Sequence, residues 1–116
     1  MTKPSVSLEV RKLNDRASVI DIKGEVTGFA ENALMDAYTQ ASSEDSNAII
    51  LNFSELEYMN SSGIGLLVTL LIRVQRHKQK LMAYGLNDHY KQIFELTRLN
   101  EAITIYPSEE AALAGV

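Results

Sequence analysis

The stretch Asn47-Ala48-Ile49-Ile50-Leu51-Asn52-Phe53 limits the fold of this chain more than any other. A strand at a solvated surface alternates apolar and polar residues. An unbroken apolar centre instead needs cover on both faces, as in a parallel sheet with helices above and below. This strand is therefore predicted to be central, and its neighbours must supply the covering helices. Ala30, Ala33, Leu34, Ala37, Tyr38 and Ala41 recur at spacings of three and four, and Ile64, Leu67, Val68, Leu71 and Val74 do the same within residues 63–77.

The remaining segments complete the pattern. Val6, Leu8 and Val10 alternate with Ser7 and Glu9, and a second β-type run over 17–23 carries Val19, Ile20 and Ile22. Asn14-Asp15-Arg16 between them is turn chemistry, which predicts an antiparallel hairpin. A short strand over 81–84 ends at Gly85. Asn87 or Asp88 then caps a helix carrying Tyr90, Ile93, Phe94 and Thr97. Ile103 and Ile105 mark a strand over 102–106, and Ser108 opens a last short helix with Glu109 and Glu110 in its first turn. The segments 24–46, 54–79 and 86–101 are each long enough for a helical crossover between parallel strands. The expected architecture is a single α/β domain over residues 1–116, a mixed and mostly parallel sheet with helices packed on it, in the order ββαβαβαβα.

Composition removes several functions. Fifteen acidic residues against 11 Lys and Arg leave a net charge of −4, opposite in sign to the concentrated basic surface that nucleic acid requires. The chain has no cysteine, so disulfides, thiolate metal sites and a cysteine nucleophile are all excluded. The first residues contain no run like the apolar core of a secretion signal, and residues 64–72 are too short to span a bilayer, so a cytoplasmic protein without membrane insertion is expected. His77 and His89 lack the spacing of a helical metal pair, and no metal or other cofactor is expected. Gly63-Ile64-Gly65 is not followed by the Gly-Lys-Ser/Thr of a phosphate-cradling loop, and Ser61 and Ser62 have no nearby base in sequence. The chain is not expected to be an enzyme.

The junction Met59-Asn60-Ser61-Ser62-Gly63-Ile64-Gly65-Leu66 stands out. Capping the helix needs one small polar residue, and three stand in a row. They lie beyond the carboxyl end of the central strand, the rim at which open α/β sheets engage ligands and partners. A serine there sits beside orphan helix N–H groups, which favour an added anion by roughly 0.3–1 kcal/mol. Leu66, Leu70 and Ile72 widen the apolar arc beyond what one sheet contact needs, so that either neighbouring helices or a partner must cover them. Arg73, Arg76, Lys78 and Lys80 crowd the other end, where cations complement the helix dipole.

With Leu51-Asn52-Phe53-Ser54 before it, and with Ile20-Asp21-Ile22-Lys23-Gly24-Glu25-Val26 upstream, this block resembles the signature of STAS domains, specifically the small stand-alone anti-sigma factor antagonists. The resemblance spans nearly the whole chain. It implies a partner-switching protein that binds a serine-kinase-type anti-sigma factor and so releases the sigma factor. It also implies that the kinase switches the antagonist off by phosphorylating a serine at the helix N-terminus, and that a serine phosphatase reverses the modification. The first serine of the pair maps to Ser61, with Ser62 as the second candidate. Asn60, Ser62, Gly63 and Leu66 form the expected surrounding contact surface, bordered by Glu25, Thr27 and Phe29. Most such proteins carry an aspartate where this chain has Asn60, which keeps an acceptor oxygen and removes a charge.

Two other functions fit the same residues. In one, Asn60-Ser61-Ser62 merely cap the helix and the chain is an unphosphorylated STAS module in a larger signalling assembly. In the other, a small-molecule-binding or hydrolytic domain uses the helix N-terminus as an anion site.

Overall fold

A computed structural model describes residues 6–43 and 45–116. The expectation drawn from the first five residues lies outside them. The hairpin forms from β1 (Val6–Lys12) and β2 (Ala17–Val26), and Asn14 Oδ1 closes its turn by accepting from the N–H groups of Arg16 and Ala17 at 2.7 and 2.9 Å. After a short 3-10 turn at Gly28–Ala30 come α1 (Glu31–Ala41), β3 (Ala48–Met59), α2 (Ser61–Arg76), β4 (Lys80–Tyr84), α3 (Asp88–Leu96), β5 (Ile103–Tyr106) and α4 (Glu109–Ala114). The ββαβαβαβα order is present. The sheet runs β1-β2-β3-β4-β5, antiparallel in its first pair and parallel in the other three.

This strand order settles where the helices go. Each parallel crossover steps to the next strand in the same direction, and crossovers are right-handed, so α1, α2 and α3 must share one face. Leu34, Ala37 and Tyr38 of α1, Leu67 and Leu70 of α2 and Phe94 of α3 accordingly form one core with Ile20, Ile22, Ile49, Leu51, Phe53 and Ile103 of the strands. Among the described residues, α4 is the helix on the opposite face, where Ala112 covers Ala17, Val19, Ala48, Ile50 and Met82. The central strand is thus covered on both faces for its first half alone.

Two strands run further than their hydrophobic patterns suggest. β2 continues to Val26 and β3 to Met59, six residues past Phe53. The extension is held by pairing with β2 through register shifts at Asp21/Lys23 and Gly24/Glu25, up to Val26 opposite Met59. Local patterning does not reveal it, because Ser54, Glu55, Glu57 and Tyr58 remain exposed. Its ladder bonds come from a strand distant in sequence.

The uncovered half of the second face is polar. Arg11 donates to Asp21 through Nε at 2.6 Å and Nη2 at 2.9 Å, and Nη2 also reaches Glu109 Oε1 at 2.6 Å. Asn52 Nδ2 donates to Asp21 at 2.7 Å, and the Tyr84 hydroxyl donates to Glu109 at 2.9 Å. The network joins β1, β2, β3, β4 and α4. The Arg11 hydrogen bonds hold both carboxyls below the usual range, with Asn52 adding to the effect at Asp21 and Tyr84 at Glu109. Burial, followed by the Glu109 contact, pushes the Tyr84 hydroxyl up to about 12.

Both carboxyls therefore bind protons more readily in the unfolded chain, where they titrate near about 4. Their contribution is complete above that value and is lost as pH falls through the lower folded-state values. Acid unfolding followed by circular dichroism should show stability falling below about pH 4. Arg11→Gln should cost about 1–2 kcal/mol at neutral pH, discounted for the exposure of Arg11, and should flatten this dependence. An unchanged acid profile in that variant would remove the network from the account of stability.

Candidate functional site

The long parallel pairing of β2 and β3 delivers two chain segments to one point on the carboxyl rim of the sheet. Met59 ends β3 opposite Val26, and its N–H donates to the Tyr90 hydroxyl of α3 at 2.8 Å. Asn60 N then donates to the Val26 carbonyl at 3.3 Å. Asn60 is the N-cap of α2, with its Oδ1 accepting from Gly63 N at 2.9 Å and its carbonyl accepting from Ile64 N at 3.0 Å. One of the three small polar residues therefore serves as cap, which frees the two serines. Both are exposed, in the first turn of α2, and their own N–H groups have no acceptor among the described residues.

Gly63 explains why the helix starts here. A methyl group on it would stand 2.3 Å from the Val26 carbonyl oxygen and 2.8 Å from Met59 Cγ, so only glycine lets α2 approach the end of β2 so closely. Gly65 differs, since an added methyl would meet nothing within 4 Å. The close approach also turns the helix, whose buried face is Gly63, Leu66, Leu67, Leu70, Leu71 and Val74.

That orientation corrects two of the expected contact residues. Leu66 is only 8% exposed and packs in the main core, and Gly63 is buried against β2, so both lie inside the domain rather than on its surface. Leu70 is covered by the protein itself, whereas Ile72 is 50% exposed. Val68, expected on the inner face, is 40% exposed. The apolar arc of α2 is wider than its buried face, so its exact rotation depends on Gly63, which carries no side chain to mark it.

The other expected residues lie at the end of β2 and in the turn after it, where Gly28 approaches Ser62. Glu25 is exposed at the end of β2, opposite Tyr58. Thr27 caps the 3-10 turn, its Oγ1 accepting from Phe29 N at 3.3 Å. Phe29 is 82% exposed, an aromatic ring standing in solvent with no core role. Two further residues belong to the site without having been anticipated. A methyl on Gly28 would touch Ser62 Cβ at 3.6 Å, and Tyr90 pins the end of β3. Neither carries a local signal, since both meet the junction through contacts distant in sequence.

A family model, the STAS domain, matches residues 9–112, most of the chain. The chain belongs to the STAS domain family. This STAS domain is 23% identical over 101 residues to a Listeria monocytogenes protein named anti-sigma-B factor antagonist, covering 87% of this chain and 89% of that one. A solved anti-sigma factor antagonist from Mycobacterium paratuberculosis matches its fold with a TM-score of 0.80 at 21% identity, covering 100% of this chain and 98% of the other. The Bacillus cell fate determinant SpoIIAA, solved in its phosphorylated form, matches with a TM-score of 0.68 at 20% identity, over 93% of this chain and 97% of that one.

The two glycines of the junction should respond in opposite directions. Gly63→Ala forces backbone or Met59 to move and is expected to cost about 1–3 kcal/mol. Gly65→Ala adds a better helix former in open space and should stabilise by about 0.5–1 kcal/mol. Urea unfolding of both variants tests this. Equal effects would contradict the placement of α2 against Val26.

Proposed function

We propose that this STAS domain is an anti-sigma factor antagonist that binds a serine-kinase-type anti-sigma factor, so that the sigma factor is released. Ser61 is the phosphoacceptor in this scheme, and a serine phosphatase resets it. The observation that carries the proposal is the exposure of the Ser61 hydroxyl on the first turn of α2, beside two N–H groups without an acceptor among the described residues. The name of the Listeria relative and the phosphorylated state of SpoIIAA support the same scheme. The domain acts by binding and catalyses nothing.

Phosphoserine brings about −1.5 to −2 charges at pH 7. At a helix N-terminus this charge favours the helix that bears it, so the fold survives modification. The cost falls on a docked partner, which would have to desolvate a dianion. A loss of ~3 kcal/mol weakens binding more than a hundredfold. Phe29 is the natural anchor of such a contact, since an aromatic ring already in solvent gains its full burial on docking. Asn60, Ser62, Glu25 and Thr27 complete the rim around it.

A second scheme, an unphosphorylated module within a larger signalling assembly, is favoured by Asn60, whose amide caps α2 without the aspartate common in the family. Mass spectrometry of the protein from its native cell separates the two, because stoichiometric phosphate at Ser61 contradicts the second.

With the cognate kinase, Ser61→Ala should abolish labelling and Ser62→Ala should retain it. Ser61→Asp should lose the kinase-type partner in a pull-down, and Phe29→Ala should weaken its binding by about 2 kcal/mol with unchanged thermal stability. Full labelling of Ser61→Ala would overturn the assignment of the acceptor.

A further inference from the structure

The opposite end of α2 holds a second feature that partner switching does not use. A cleft of about 360 Å³ opens between the C-terminal ends of α1 and α2, lined among others by Tyr38, Ser42, Ser46, Arg73 and His77. Its floor is a buried hydrogen-bond chain in which the Tyr38 hydroxyl donates to Gln79 Oε1 at 2.8 Å and Gln79 Nε2 donates to Ser42 Oγ at 2.9 Å. Ser42 Oγ is used there as an acceptor, which leaves its own proton to be given to something else.

Arg73 is the charged group of the cleft. The sequence places it as a cation serving the carbonyls at the end of α2, but the carbonyls of Arg73, Val74 and Gln75 already have partners. His77 N and His77 Nδ1 take the carbonyl of Arg73, Lys78 N takes that of Gln75, and Gln79 N takes that of Val74. The Arg73 guanidinium instead lies over the Tyr38 ring, 5.1 Å from its centroid, and makes no ion pair or hydrogen bond among the described residues. The cation–π contact holds the guanidinium beside the ring while its N–H groups keep no partner among the described residues, so they can donate to a ligand. Among the described lining residues none is acidic.

We propose that this cleft binds a small molecule bearing an oxyanion, phosphate or carboxylate, with the Arg73 N–H edge as its charged anchor and the Ser42 hydroxyl as a second donor. The two serines of the other end of α2 take no part. Because the site sits at the opposite pole of the domain from Ser61, its occupancy is independent of the phosphorylation proposed there.

Amide and arginine side-chain NMR of the whole protein, titrated with sodium phosphate or with sodium acetate against sodium chloride at equal ionic strength, tests this. Shifts are expected at Ser42, Arg73 Nε and His77, and the stronger of the two anions identifies the oxyanion class. Arg73→Gln should weaken these shifts by about tenfold or more, and Ser61→Ala should leave them unchanged. Should Arg73→Gln not fold, Ser42→Ala and Arg73→Lys serve, with weakened binding expected in both. Shifts confined to Ser61, Ser62 and Gly63, or none with either anion, overturn the proposal, as does unchanged binding in the cleft variants.

Discussion

The parallel ladder between β2 and β3 is the constraint on which the rest of the molecule depends. It runs past the covered part of the sheet until Val26 stands opposite Met59. The Val26 carbonyl then meets both Asn60 N and the bare Cα of Gly63. One backbone oxygen thereby fixes the start, the height and the rotation of α2. From these follow the inward face of Leu66 and Leu70, the outward position of Ser61 and Ser62, and the closeness of Gly28 to Ser62.

The two sheet faces divide the work. Three crossover helices fill one face with a continuous apolar core, which supplies most of the hydrophobic stabilisation. The other face is half apolar under the single short helix α4 and half polar around Arg11. Such a polar network adds little net stability over a well-packed apolar alternative, but breaking it leaves charges without partners. Its clearer physical role is to tie α4 to β1 and β2 through one guanidinium, with Tyr84 adding β4, and so to fix α4 on the face it covers.

The switch proposed for the N-terminus of α2 would separate stability from recognition. In the proposed scheme, a phosphoryl group on Ser61 would meet the positive end of the α2 dipole and two N–H groups without an acceptor among the described residues. The same charge is unfavourable under a docked surface, where water is excluded. The fold need not change for the binding free energy to change greatly, and no moving part is required.

The amino-acid sequence alone determined the element order, the mixed sheet, the central place of Ala48–Leu51 and the Asn-Ser-Ser junction at the head of an apolar helix. These are legible because hydrophobic period, turn chemistry and capping act between near neighbours. Tertiary structure alone decided how far β2 and β3 extend, which side of α2 is buried, and that Leu66 belongs to the core while Phe29 stands in solvent. The stretch 54–59, exposed at Ser54, Glu55, Glu57 and Tyr58, becomes strand because a distant partner supplies its hydrogen bonds. The period of α2 finds Leu67, Leu71 and Val74 on the buried side but fixes that side only roughly, leaving open the choice of Leu66 over Val68. That choice was made by a contact between Gly63 and Val26, and a glycine's contribution there is an absence of atoms, which no pattern of side chains records.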